Sequence, residues 1–236
     1  MWKTFLLDLE HISYNQALNL MRVLVTKKGG MEYPQVLMLV EHEPVVTLGR
    51  RSNQDDFVVS EKCLLQKNIG VYRIERGGLA TYHGPGQLVI YPIFNLNVMK
   101  LRVVQLVSGL EQSVVNMLAD VGIAGECRSS YRGVWIGAEK IASVGIAVRK
   151  GISFHGIALN YATNLEYFDL IHPCGIPNVK MTSIAKVLNQ SVDGQKIRYG
   201  LVKHLAEHFE LTYEAVSLNQ LKNKFSVSNI IVSPSP

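Results

Sequence analysis

The chain has 236 residues, with 24 Lys+Arg against 19 Asp+Glu for a net charge of +5; hydrophobic residues make up 47% and charged residues 18%. That balance excludes intrinsic disorder and excludes a collagen-like or coiled-coil rod. The length suits one large domain or two small ones.

In chain order, Trp2–Leu9 reads as a strand and Ser13 as the start of a helix. The Ser13 hydroxyl can cap free backbone N–H groups, and Gln16 three residues on completes a capping box. Ala17, Leu18, Met21, Leu24 and Val25 follow helical spacing until Gly29-Gly30. Gln35–Val40 and Val45–Leu48 are expected strands, followed by an edge or half-buried strand at Val71–Glu75 and a buried one at Leu88–Ile93. Val103–Asp120 carries the strongest helical stripe (Val103, Leu106, Val107, Leu110, Val114, Met117, Leu118), closed by Gly122. Short strands are expected near Gly133–Ile136, Ile141–Val148 and Ser153–Leu159, and a second helix along Ile197, Leu201, Leu205 and Phe209. Strands dominate the middle and helices flank it, which predicts a single α+β domain with a mixed β-sheet.

The excess of basic residues suits an acidic partner, but no Lys/Arg block exceeds two residues and no nucleic-acid signature is present, so no nucleic-acid binding is expected. Cys63, Cys127 and Cys174 are too few and too scattered for a disulfide framework, and no Cys-x-x-Cys suggests structural zinc. No signal peptide and no membrane-length apolar run is read, so the expectation is a cytoplasmic protein without membrane attachment.

Three segments carry candidate chemistry. The first is Arg76-Gly77-Gly78-Leu79-Ala80-Thr81-Tyr82-His83-Gly84-Pro85-Gly86-Gln87, four of whose residues after Arg76 are glycines. Glycine lets backbone approach a ligand closely, and the run fits neither the phosphate-loop pattern nor Gly-x-Gly-x-x-Gly; read alone it is a ligand-binding loop between two strands. The second is Lys140, before the apolar Ile141-Ala142-Ser143-Val144-Gly145; such a lysine is ordinarily a surface residue and is unusual only if its ammonium points inward. The third is His172-Pro173-Cys174-Gly175, where proline and glycine hold the thiol in a turn. A thiol is weakly ionised at neutral pH unless a cation lowers its pKa. His204-Leu205-Ala206-Glu207-His208 matches an inverted zinc-protease pattern, but it lies on an amphipathic helix without an evident third ligand, and no metal is expected.

Taken together, RGGLATYHGPGQLVIYPI and GVWIGAEKIASVGIAVRKGISFHGIALNYATNLEYFDLIHPCGI resemble the octanoyl-acyl-carrier-protein:protein octanoyltransferases, within the lipoate/biotin protein ligase-like superfamily. The resemblance spans most of residues 1–210, expected as the catalytic domain, with 211–236 as a C-terminal extension of unassigned role. It implies a cofactor-free, two-step acyl transfer. Octanoyl leaves acyl carrier protein for Cys174 as a thioester, and then passes to a lysine of a lipoyl domain, in 2-oxoacid dehydrogenase E2 subunits or the glycine cleavage H protein. It places the pKa-lowering lysine at Lys140, and acyl-binding residues at Arg76–His83 (Arg76, Gly77, Gly78, Leu79, Ala80, Thr81, Tyr82, His83), Ser143, Val144, Gly145, Gly156, Ile157 and Ala158. A lipoyl-domain amidotransferase and an ATP-dependent lipoate-protein ligase are the alternatives on the same fold.

Overall fold

In the computed structural model, residues 1–28, 34–53, 56–173 and 179–226 are described. Gly29-Gly30 and Cys174 therefore lie outside the described residues. The first part runs β1 (Trp2–His11), α1 (Tyr14–Lys28), β2 (Gln35–Glu41), β3 (Val45–Leu48), α2 (Glu61–Gln66), β4 (Gly70–Arg73), β5 (Ala80–His83), β6 (Gln87–Ile93) and α3 (Val103–Asp120). The rest runs β7 (Glu126–Cys127), β8 (Val134–Ile136), β9 (Glu139–Arg149), β10 (Ile152–Asn160), β11 (Lys180–Met181), α4 (Ile184–Leu188), α5 (Gly194–Phe209), β12 (Leu211–Ala215) and α6 (Leu218–Lys224).

Among the described residues, nine strands form one mixed sheet in the order β12-β1-β2-β6-β10-β9-β8-β7, with β11 alongside β9. β1 is parallel to β12 and β2, while β6, β10, β9 and β8 pair antiparallel in succession. The period-two rule explains the two layers of helices. On β2, Val36, Met38 and Val40 join the core under α1 and α6, and Leu37 and Leu39 join the opposite core under α3 and α5. A strand buried on both faces carries no polar alternation, which is why Val36–Val40 reads as an unbroken apolar run. Residues 211–226 belong to this arrangement: β12 adds a parallel edge strand to β1, and Leu221 and Phe225 fill the core beneath α1.

The expected capping box at Ser13 forms in a variant way. The Gln16 N–H donates to the Ser13 hydroxyl at 3.4 Å, and that hydroxyl donates to the Gln16 amide oxygen at 3.0 Å. In α3 Leu106, Leu110, Val114, Met117 and Leu118 of the stripe are buried as expected, but Val107 is only partly buried and lines the groove described below, and Val103 is exposed. The glycine-rich segment is only partly a loop. Its second half, Ala80–His83, is β5, which pairs antiparallel with β3 while β4 pairs with β3 on the other side. Thr81 and Tyr82 suit a strand, and the surrounding glycines and proline obscured that local preference. No helix among the described residues is long and apolar enough to cross a membrane.

Candidate active site

β9 and β10 build the floor. Their register sets Gly145 opposite Gly156, Val144 opposite Ile157 and Ser143 opposite Ala158, so the two triplets singled out in the sequence are cross-strand neighbours. Glycine at 156 is required by close approach: a Cβ there would overlap the Ile90 carbonyl oxygen on β6. At Gly145 a Cβ would sit 2.9 Å from Arg76 Cδ, because the glycine-rich loop rests directly on β9. The Gly77 N–H donates to the Ile146 carbonyl at 3.1 Å. Arg76 anchors the loop, its guanidinium donating to the Thr47 carbonyl at 2.6 Å and the Thr47 hydroxyl at 2.9 Å on β3.

Between this loop and the floor lies a narrow slot of about 40 Å³. Gly78, Leu79, Thr81 and His83 line it from above, together with Arg76. Ser143–Gly145 and Gly156–Ala158 line it from below. Ala80 and Tyr82 point the other way, into the core of the small sheet, as the alternation of β5 requires. The slot continues past Gly78, Leu79, Val144 and Gly145 into a wider groove of about 490 Å³, which Gly77 and Lys140 line.

Lys140 points inward and is 1% exposed. Its ammonium lies 5.4 Å from the centre of the Trp135 ring on β8, a cation–π distance. Gly133 makes room for it, since a Cβ there would sit 2.5 Å from Lys140 Cε. The buried Glu111 carboxylate of α3 accepts from the Gly133 N–H at 2.6 Å and from Arg132 at 3.1 Å. Burial raises the Glu111 pKa, against the lowering influence of that backbone bond, Arg132 and Lys140. The chain bearing Cys174 is described up to Pro173 and from Val179 onward. Directly after it, β11 pairs Met181 with Lys140, and the Thr182 N–H donates to the Lys140 carbonyl at 2.9 Å.

Several lining residues escaped the sequence reading. Tyr14, Tyr91 and His155 border the slot; Arg51, Val104 and Tyr131 border the groove. Val104 on the solvent face of α3 carried a signal, as an exposed apolar residue outside the core stripe. In the His-x-x-Glu-His segment, His204 Nε2 lies 2.7 Å from Asp120 Oδ2, and His208 packs edge-on against Phe209.

His83, which lines the slot, and His42, packed behind it against Tyr91, are held neutral. Burial, the largest cause, lowers His42 to about 4 against its bond to the Ile12 carbonyl. Burial, again first, and then His42 lower His83 to about 3. An imidazole in the unfolded chain titrates near 6.5, so the unfolded state takes up protons first as pH falls. The associated stability is complete above about pH 6.5 and is lost as pH falls toward 4 for His42 and 3 for His83. Urea titrations at stepped pH are expected to lose on the order of 1 kcal/mol per pH unit for each histidine in that window. His42→Gln should flatten the slope.

The comparisons agree with this architecture. A solved structure of an archaeal bi-partite lipoate protein ligase and its E2 lipoyl domain from Thermoplasma acidophilum superposes with a TM-score of 0.72. The match covers 96% of this chain and 91% of that one at 16% identity, a likeness of fold. The mixed sheet and its flanking helices thus define a catalytic domain of the lipoate protein ligase fold. Residues 13–206 match the family model described as lipoyl protein ligase A/B catalytic domain. An octanoyltransferase of Syntrophobacter fumaroxidans is 43% identical over 93% of this chain and 96% of its own length. One of Caldicellulosiruptor saccharolyticus is 39% identical over 91% and 92%. The chain therefore belongs to the lipoyl protein ligase A/B catalytic-domain family, alongside its octanoyltransferases, and is an acyltransferase.

Proposed function

We propose that this enzyme moves an octanoyl group from octanoyl-acyl carrier protein to a lysine of a lipoyl domain in the cytoplasm, through a thioester on Cys174, with Lys140 as the proton-handling partner. The observation that carries the reading is the Lys140 side chain, 1% exposed yet lining a groove that opens into an apolar-walled slot. An ammonium buried there stabilises a nearby thiolate far more than one in water would. The names of the relatives support octanoyl as the acyl group, and the basic residues at the groove mouth, Arg51 and Arg132, suit an acidic carrier.

In the first half-reaction the Cys174 thiolate attacks the thioester carbonyl, the carbon–sulfur bond to the carrier breaks, and the departing thiolate takes a proton from Lys140. In the second, the acceptor amine attacks the Cys174 thioester and loses a proton to Lys140. The amide forms and the Cys174 thiolate leaves. The residues assigned to the acyl chain are Arg76, Gly78, Leu79, Thr81 and His83 of the glycine-rich segment with Ser143–Gly145 and Gly156–Ala158, whereas Ala80 and Tyr82 face the small-sheet core and Gly77 the groove. Each buried methylene contributes about 0.8 kcal/mol, which makes slot depth the selector of chain length.

Intact-mass measurement after mixing with octanoyl-acyl carrier protein is expected to show one hydroxylamine-labile adduct. Cys63→Ala and Cys127→Ala should keep it, and Cys174→Ala should lack it. An adduct that persists in Cys174→Ala removes the mechanism, and turnover from octanoylated H protein but not from the carrier would favour an amidotransferase.

A further inference from the structure

Gln87, the first residue of β6, closes the glycine-rich segment and has been given no role of its own, yet its buried amide makes three hydrogen bonds. Nε2 donates to the Tyr82 carbonyl at 3.1 Å and to Asn160 Oδ1 at 2.9 Å, and Oε1 lies 2.7 Å from His83 Nδ1. A backbone carbonyl only accepts, so the nitrogen end of the Gln87 amide must face Tyr82. The oxygen end then faces His83, and Nδ1 must bring the proton. Asn160 extends the chain: its Nδ2 donates to the Thr182 carbonyl at 3.1 Å, and the Thr182 N–H donates to the Lys140 carbonyl at 2.9 Å. Burial keeps His83 neutral at physiological pH, so it has a single ring proton. Among the described residues Nε2 has no hydrogen-bond partner, and His83 lines the slot.

We propose that Gln87 and Asn160 are positioning residues for acyl transfer, holding His83 as the Nδ1–H tautomer with a bare Nε2 at the slot and tying it to the backbone of Lys140. The slot thereby has an acceptor nitrogen in its wall, oriented by groups that do not touch the substrate. The same chain of amides couples the wall of the acyl slot to the strand that carries the lysine, so displacing one displaces the other. The assignment to acyl transfer rests on the reaction proposed above; the tautomer itself does not.

Long-range proton–nitrogen correlation spectra of the ¹⁵N-labelled full chain, with His83 identified by its absence in His83→Gln, test this without substrate. The expected result is a protonated Nδ1 and a bare Nε2, unchanged between about pH 6 and 8. A bare Nδ1 in the wild type overturns the proposal. In Gln87→Ala, mixed tautomers are expected together with a fall of about tenfold in kcat/KM for acylation by octanoyl-acyl carrier protein. A changed tautomer with kcat/KM within about twofold of wild type also overturns it. If Gln87→Ala does not fold, Asn160→Ala replaces it, with the same expected direction and the same overturning result. A wild type that shows the Nδ1–H tautomer but forms no acyl adduct refutes the reaction instead, so the two failures are distinct.

Discussion

Lys140→Met is expected to slow acylation of the enzyme at neutral pH by about 10² to 10⁴-fold, the range that positioned proton transfer contributes. Methionine is close in length and apolar, so it fills the space beside Trp135 and Gly133 while removing the charge. The proposed mechanism gives this effect two sources: it assigns the ammonium the stabilisation of the Cys174 thiolate, without which a thiol ionises near its ordinary value of about 8.5, and the protonation of the departing carrier thiolate. Raising the pH supplies thiolate unaided, so the deficit should shrink between about pH 7 and 9. Single-turnover acylation followed by mass across that range checks it, with thermal unfolding as the control for folding. A deficit that does not vary with pH would remove the thiolate-stabilising role and leave at most the leaving-group role.

The second large effect concerns stability. Glu41, at the end of β2, is a buried carboxylate on which three partners converge. Oε1 accepts from Arg198 Nη2 of α5 at 2.8 Å and from the Tyr161 hydroxyl at 2.8 Å, and Oε2 accepts from the Gly86 N–H at 2.9 Å. Arg198 reaches Asp8 of β1 with its other nitrogen at 2.9 Å. Burial raises the Tyr161 pKa, with the Glu41 carboxylate adding to it, so the phenol stays a donor. Glu41→Ala leaves the Arg198 guanidinium, 5% exposed, with only the more exposed Asp8, and frees the turn that precedes β6. Breaking one side of a buried pair costs about 3–5 kcal/mol. Urea unfolding should show that loss, and Glu41→Met/Arg198→Met should be more stable than either single variant, because no uncompensated charge remains. A loss below about 1 kcal/mol in Glu41→Ala would show that the network is solvated and weak.

Much of the frame is written locally. The helices α1, α3 and α5 follow from apolar residues three and four apart, and β2, β6, β9 and β10 from β-branched runs between turn residues. The glycine-rich segment stands out by its residue types, whereas Lys140 and the Ser143–Gly145 and Gly156–Ala158 triplets stand out only through the family resemblance. β5 was hidden because the glycines and proline around Ala80–His83 outweigh four residues of strand preference, and pairing with β3 decides the matter. Tyr14, His42 and His155 gave no local sign of a role. Each is an ordinary residue on its own element, and only the packing of α1, the end of β2 and β10 brings all three near the slot.

Periodicity and propensity are properties of neighbours in sequence, so the chain by itself determined its helices and most of its strands, and its likeness to a family marked the short segments that are candidates for chemistry. The inward aim of Lys140, the tautomer of His83 and the pairing of Glu41 with Arg198, 157 residues apart, were decided by tertiary structure. Burial changes the free energy of a charge or a proton by several kcal/mol, and burial exists only once distant strands and helices have closed around the group.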